Sequence, residues 1–218
     1  MISRLRQGFG TFFSLLKVMT QLLYGIWYIS RLPRPIITIF GGSRIKSDDY
    51  YAFQAMQLSQ RFIDHNVSVL TGGGPGIMEA ASCGALYSKK GKGKSVGIGV
   101  HNIHEHPNKC SSAYFELDQF FARKWLLIRY SFGFIVFPGG FGTLDELFEV
   151  LTLMQTSVVG FVPIVLVGKE YWQPFVDWVE NESIKHGLIR KKELEWIVIT
   201  DDLDIIFDTI HRHCKEKK

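Results

Sequence analysis

A glycine-rich turn that follows an apolar run carries the clearest chemical signal in this sequence. Residues 134–137 are Phe-Ile-Val-Phe, and they lead into Pro-Gly-Gly-Phe-Gly-Thr at 138–143. Glycine lets backbone N–H groups approach an anion closely, and the start of a helix adds unpaired donors and a partial positive charge. The segment predicts a strand, a phosphate loop and a helix start, with ligand contacts from Pro138, Gly139, Gly140, Gly142 and Thr143.

Two acidic residues, Asp145 and Glu146, follow this loop in what we expect to be the first turn of the helix. Carboxylates beside a bound phosphate repel it, unless they serve a neighbouring part of the same ligand. The pair therefore indicates a role on the sugar or the base of a phosphorylated ligand.

A second block, Phe-Phe-Ala-Arg-Lys at 120–124, precedes the loop. On a helix, Arg123 and Lys124 alone would be read as solvated surface charges. An Arg-Lys pair followed by Pro-Gly-Gly-x-Gly-Thr-x-Glu-Glu resembles the Lonely Guy (LOG) family of nucleoside-monophosphate phosphoribohydrolases, with Asp145 in place of the first Glu. The resemblance extends to Gly-Gly-Gly-Pro-Gly-Ile-Met-Glu-Ala-Ala at 72–81 and Phe-Gly-Gly-Ser-Arg at 40–44, and covers about residues 36–210.

The resemblance implies hydrolysis of the N-glycosidic bond of a nucleoside 5′-monophosphate, of the AMP or cytokinin riboside type, to a free base and ribose 5-phosphate. It makes Arg123 and Glu146 the catalytic residues and implies no cofactor and no metal. The further substrate contacts that it implies are Gly42, Ser43, Gly73, Gly74, Glu79, Lys124 and Asp145.

Three other functions remain open on the sequence. A non-catalytic nucleotide or cofactor carrier on the same fold would use the same glycine loops. Lysine decarboxylation would need pyridoxal phosphate on a Schiff-base lysine, which no motif here presents. A signalling or membrane-tethered protein would depend mainly on the N-terminal segment.

The pattern from residue 36 onward alternates apolar runs with amphipathic segments, which is typical of a Rossmann-like, doubly wound α/β fold with a parallel sheet covered by helices on both faces. In such sheets, ligands bind beyond the carboxyl ends of the strands, so the three glycine motifs should converge on one crevice. We predict strands at 36–40, 67–70, 95–100, 113–117, 133–137, 163–167 and 196–200, the fourth of them a short edge strand, and helices at 48–65, 76–87, 120–130, 144–155, 172–186 and 202–213.

Residues 1–35 stand apart from this domain, which we place at 36–218. Residues 9–29 are apolar apart from interruptions such as Lys17 and Gln21, and arginines flank them. Three interpretations stay open: a helix packed on the domain or on a partner subunit, an interfacial membrane helix, and a membrane span. A homo-oligomer, dimeric or larger, is expected because the family assembles in this way and the apolar helix needs a covering surface.

Composition narrows the partners and the compartment. A net charge of +4 in 218 residues is modest, so nucleic acid is not expected as a partner. Cys83, Cys110 and Cys214 are odd in number and scattered, which indicates neither disulfides nor a zinc site and favours a reducing cytoplasm. The histidines 101, 104 and 106 lie in a polar loop that we interpret as free of metal.

Overall fold

The structure, a computed structural model, describes residues 2–101 and 106–216, with side chains from Thr11 onward. Its centre is a parallel sheet of seven strands. They are β1 (Ile36–Phe40), β2 (Ser68–Thr71), β3 (Ser95–Val100), β4 (Ala113–Leu117), β5 (Phe134–Val136), β6 (Ile164–Leu166) and β7 (Ile197–Ile199). The helices are α1 (Ile2–Ser30), α2 (Tyr50–Asp64), α3 (Ile77–Tyr87), α4 (Phe120–Arg129), α5 (Phe141–Gln155), α6 (Lys169–Trp178), α7 (Lys191–Leu194) and α8 (Leu203–Glu216), and a π-helical turn (Val179–Ile184) follows α6.

The strand order is β4-β3-β2-β1-β5-β6-β7, and every neighbouring pair is parallel. The predicted doubly wound α/β fold is therefore confirmed, and Ala113–Leu117 forms an edge strand as expected. The order reverses between β1 and β5, where Phe40 lies opposite Val136. A crevice opens beyond the carboxyl ends of the strands at such a switch point, which is where ligands bind in this class of sheet.

Alternate residues of the strands face two separate cores, because successive side chains in a strand point to opposite faces. On one face, Phe40 stacks on Phe134 with ring centroids 5.8 Å apart, beneath α1, α4, α5 and α6. On the other face, Ile37 and Ile39 pack under α2, α3 and α8. The helices on both faces explain why the strands read as nearly continuous apolar runs.

Helix α1 packs along the domain with one of its faces. Val18 and Ile29 are buried, and Gly25 lies where any side chain would strike Leu126 of α4. Lys17 Nζ pairs with Asp118 at 2.6 Å. The division of the chain at residue 35 stays a proposal, because the first helix shares a core with the rest.

Helix α5 begins at Phe141, three residues before the predicted start at Leu144. Gly140 precedes it, and Gly142 lies inside the first turn although glycine is a poor helix former, which is why the sequence pattern placed the start too late. The consequence is chemical. Asp145 and Glu146 lie in the second turn of α5, beyond the N–H groups that would face a phosphate.

Cys83 and Cys110 form a disulfide, so the expectation that the cysteines are unpaired is wrong. The two residues lie 27 positions apart, on α3 and in the segment that leads into β4. That segment folds back over the start of α3, where Asn108 Nδ2 donates to the carbonyl of Gly74. Such a return is a tertiary event that cysteine spacing does not reveal. The argument for a reducing compartment loses its support.

Candidate active site

A cavity of about 840 Å³ lies beyond the carboxyl ends of β1 and β5, at the switch point of the sheet. Its walls come from the loops after these two strands, from the first turns of α3, α4 and α6, and from the first two turns of α5. Of the residues predicted to form the site, those that line it are Gly42, Ser43, Arg123, Pro138, Gly139, Gly140, Gly142, Thr143 and Glu146.

The loops after β1 and β5 touch through their backbones. The N–H of Gly42 donates to the carbonyl of Pro138 at 2.9 Å, and the N–H of Ile77 donates to the carbonyl of Gly42 at 3.1 Å. A Cβ atom at Gly42 would lie 3.2 Å from the Cα of Gly139, so glycine permits this close approach. The motifs after β1 and β5 therefore meet at the cavity, and the motif at 72–81 contributes Met78 to its lining.

The glycines at the start of α5 fall into two kinds. Gly139 is required by packing, because a Cβ there would collide with the side chain of Thr143. At Gly140 and Gly142, an added Cβ would meet no atom within 4 Å. Neither position needs glycine for the fold, so their effect is to leave the first turn of α5 and its unpaired N–H groups open to the cavity.

Arg123 of α4 and Glu146 of α5 meet at the cavity wall. Arg123 Nη2 donates to Glu146 Oε1 at 2.8 Å, and each residue is only 7% exposed. A Cβ at Gly72 would lie 2.7 Å from Met78 Sδ and 3.4 Å from Arg123 Nη1, so the absence of a side chain at Gly72 makes room for Met78 beside the guanidinium. Arg123 Nε is buried and has no hydrogen-bond partner in the described part of the chain, which leaves a donor for a ligand oxygen.

Burial raises the pKa of Glu146 to about 7, although the charge of Arg123 and its hydrogen bond act in the opposite direction. Loss of hydration outweighs the attraction of one guanidinium, and the neighbouring Asp145 adds a smaller upward effect. At neutral pH the carboxyl group is therefore present in both its acid and its base form. This is the protonation behaviour of a group that exchanges protons during a reaction.

Lys124 and Asp145 form a separate pair outside the cavity. Lys124 Nζ contacts Asp145 Oδ2 at 2.9 Å and Glu149 Oε2 at 2.7 Å, and the Asp145 side chain is 58% exposed. Burial lowers the pKa of Lys124, but the two carboxylates together raise it above its ordinary value. The repulsion expected between Asp145 and a bound phosphate is thus avoided, since Asp145 is directed to Lys124. Substrate contacts from either residue stay predictions.

Three other predicted contacts also lie outside the cavity lining. Gly73 adopts a positive φ of 74° and faces the ring of Tyr114, while its carbonyl accepts from Asn108 N at 2.9 Å. Gly74 follows it beside Asn108. Glu79 is half-buried in the first turn of α3. The structure gives Gly73 a packing role, and ligand contacts from Gly73, Gly74 and Glu79 stay predictions.

The cavity also contains residues that the sequence did not single out. Arg44 follows the Gly-Gly-Ser turn after β1, a position that could have identified it. Phe141 lies between two loop glycines and is 93% exposed at the rim. Tyr171 donates its hydroxyl proton to the carbonyl of Gly139 at 2.6 Å, and no local motif marks it.

No group of three or more His, Cys, Asp or Glu side chains is placed to hold a metal within residues 11–101 and 106–216. His101 Nδ1 lies 2.6 Å from Glu116 Oε2. His104, part of the loop that we interpreted as free of metal, lies outside the described residues.

Comparisons with known proteins agree with the motifs. Relatives include the pyrimidine/purine nucleotide 5′-monophosphate nucleosidase of Escherichia coli K12, 25% identical over 77% of this chain. This chain spans 38% of the length of that enzyme. The cytokinin riboside 5′-monophosphate phosphoribohydrolase of Rhodococcoides fascians is 24% identical over 77% of this chain and 85% of its own length.

Solved structures with the same fold include two molybdenum cofactor proteins. The cofactor-binding protein of Rippkaea orientalis superposes with a TM-score of 0.61 at 22% identity, over 82% of this chain and 96% of the other. The carrier protein of Chlamydomonas reinhardtii gives 0.59 at 19% identity, over 83% and 98%. At these identities the likeness establishes the fold. The family model described as "Possible lysine decarboxylase" matches residues 78–210, and this chain therefore belongs to that family, the LOG-type family that its motifs predicted.

Proposed function

We propose that this protein hydrolyses the N-glycosidic bond of a nucleoside 5′-monophosphate, of the AMP or cytokinin riboside type, to a free base and ribose 5-phosphate. The observation that carries the proposal is the buried Arg123–Glu146 pair, 2.8 Å apart, on the wall of a cavity that also contains the open start of α5. The names of the relatives from Escherichia coli and Rhodococcoides fascians support the same reaction class.

The phosphate of the substrate would bind at the start of α5. Gly140 and Gly142 leave the first-turn N–H groups accessible, and the helix start favours an anion. Arg44, in the loop after β1, also lines the cavity and adds a positive charge. Phosphate binding here supplies binding energy remote from the bond that breaks, so nucleosides without phosphate should react poorly.

The reaction would then proceed at C1′ of the ribose. The C1′–N bond breaks with its electron pair moving to the base, and positive charge develops on C1′ in an oxocarbenium-like transition state. The Glu146 carboxylate stabilises that charge and accepts a proton from the water that adds to C1′. The leaving base takes up one proton from solvent, and Glu146 returns the proton it accepted to solvent, so one water is consumed for each bond broken.

Arg123 would orient the substrate and hold Glu146 in place. One of its N–H groups bonds Glu146 Oε1, which leaves the second carboxylate oxygen for the water, and Nε remains for a substrate oxygen. Because the guanidinium is planar and always charged, its position also fixes the orientation of the carboxylate.

Decarboxylation of lysine, the reaction in the family's description, does not fit this site. Pyridoxal phosphate chemistry begins with a lysine that forms a Schiff base with the cofactor. None of the described residues that line the cavity is a lysine, and nearby Lys124 is held by Asp145 and Glu149.

The test is chromatography of products after incubation with AMP, CMP, an N6-prenylated AMP and adenosine. Free base is expected from one or more of the monophosphates and little from adenosine. Glu146→Gln should abolish most of the release, while Glu182→Gln, a matched change at an exposed acid on the π-helical turn, should leave it unchanged. Nucleotide binding without any released base would refute hydrolysis and favour the carrier alternative.

A further inference from the structure

An apolar stripe runs along the face of α1 that points away from the domain. Its members are spaced three or four residues apart, which places them on one side of a helix, and each is 50% to 62% exposed. They are Phe12, Leu15, Met19, Leu23 and Trp27. We call this set the α1 stripe. Exposed apolar patches of this kind mark interaction surfaces.

The opposite face of α1 is fixed to the domain, which restricts what the stripe can contact. Val18 and Ile29 are buried, Lys17 pairs with Asp118, and Gln21 Oε1 accepts from the N–H of Asp118 at 3.1 Å. By length and composition alone, Thr11–Ser30 qualifies as a candidate membrane span. To cross a bilayer, however, the helix would have to abandon these contacts. The helix is therefore placed to lie along a surface.

The charge of the N-terminal segment is one-sided. Five of the 25 basic residues and none of the 21 acidic residues lie in positions 1–35, so the rest of the chain carries 20 basic and 21 acidic residues. The Arg31 guanidinium lies 3.8 Å from the centroid of the Trp27 ring at the end of the stripe. Tryptophan is enriched at membrane–water interfaces, and arginine is attracted to anionic lipid headgroups.

We propose that the α1 stripe is a docking surface for an anionic lipid bilayer, with α1 lying in the plane of the interface. The apolar side chains would enter the acyl boundary, and Arg31 beside Trp27 would meet the headgroup phosphates. A second copy of this chain is the less suitable occupant, because each N-terminal segment carries five basic residues and no acidic one. Asp118 neutralises only Lys17, so two such segments repel one another. Lipid supplies both the apolar cover and the opposite charge.

The experiment is co-sedimentation of the full chain with vesicles of phosphatidylcholine alone or of equal parts phosphatidylcholine and phosphatidylglycerol. The wild type should sediment with the anionic vesicles, bind less to the neutral ones, and lose binding as salt rises. Met19→Glu/Leu23→Glu should weaken binding at least tenfold, on the order of two lost apolar insertions. The matched control, Val158→Glu/Leu188→Glu, makes the same charge change at two exposed apolar positions elsewhere and should bind as the wild type does.

Four results would overturn the proposal. The first is a wild type that does not sediment with anionic vesicles. The second is equal binding by the stripe variant and its control, with far-UV circular dichroism confirming that both are folded. The third is a stripe variant whose mass falls in light scattering while vesicle binding is unchanged, which would assign the stripe to a second copy. Resistance of the bound wild type to an alkaline carbonate wash would likewise replace the interfacial position with a membrane span.

Discussion

Replacing Glu146 with glutamine tests the site most directly, because the change keeps the size of the side chain and its contact with Arg123 but removes the ionisable group. In the folded protein, burial raises the pKa of Glu146 from 4.5 to about 7. The unfolded chain therefore loses this proton at lower pH than the folded chain does. Between these two pH values the folded state binds more protons, so the contribution of Glu146 to the free energy of unfolding decreases as pH rises.

The size of the effect follows from the shift. A difference of about 2.5 pKa units corresponds to about 3 kcal/mol, which is fully present below pH 4.5 and lost above about pH 7. Urea unfolding over this pH range gives the free energy of unfolding of the wild type and of Glu146→Gln as a function of pH. The difference between the two curves reports the titration of Glu146 alone, because both proteins share every other titrating group. Relative to the wild type, the variant should gain about 3 kcal/mol on going from pH 4 to pH 8.

The same variant tests the chemistry. Turnover of a nucleoside monophosphate should fall about 100-fold or more, while nucleotide affinity changes little, because the charge acts mainly in the transition state. In the wild type, base release should rise through about pH 7 as the carboxyl group ionises. A flat difference curve would show that the carboxyl group is not held at a raised pKa. Near wild-type base release in a single turnover would show that Glu146 is not catalytic.

Other perturbations separate binding, packing and assembly. Arg123→Ala should reduce both nucleotide affinity and turnover, measured by calorimetry and base release, because ligand oxygens and Glu146 lose the same partner. Gly139→Ala should lower the free energy of unfolding, measured by urea denaturation, by about 1–3 kcal/mol, because its methyl group meets Thr143. Gly140→Ala should leave stability within about 1 kcal/mol but weaken phosphate binding, so a loss of stability at both positions would contradict the distinction drawn between them. Light scattering should give a homodimer or a larger assembly, supported by exposed aromatic side chains such as Phe121 and Trp125 on α4, and a stable monomer would refute it.

The sequence predicted the sheet well because each strand is a short apolar run covered on both faces. Residues 95–100 and 113–117 were placed at their observed bounds. Of the residues expected at the site, those where motif and topology coincide, such as Gly42 and Gly139, do line the cavity, and their contacts with a substrate stay predictions. The prediction of the site was less complete where the direction of a side chain decides which residues it contacts. Asp145 and Glu146 are adjacent in sequence, but a helix turns about 100° per residue, so one joins Lys124 outside and the other joins Arg123 inside.

Tertiary contacts without a local pattern could not be predicted. Tyr171 reaches the loop after β5 from α6, 32 positions away from Gly139. The disulfide between Cys83 and Cys110 depends on the return of one loop across α3. Gly73 has a positive φ and faces the ring of Tyr114 on β4, and a glycine motif does not reveal such a contact.

Two ion pairs, an inner one and an outer one, link α4 to α5. The inner pair, Arg123–Glu146, is shielded from solvent, whereas the outer pair, Lys124–Asp145, faces it. The two pairs involve consecutive residues on each helix. Dissolved salt screens the exposed outer pair and has little effect on the buried inner pair. The register of the two helices is thus secured twice, and the dipole of the inner pair is oriented before any nucleotide arrives. In the enzyme we propose, little reorganisation energy would therefore be needed when the bond breaks, even at an ionic strength that weakens the exposed ion pair.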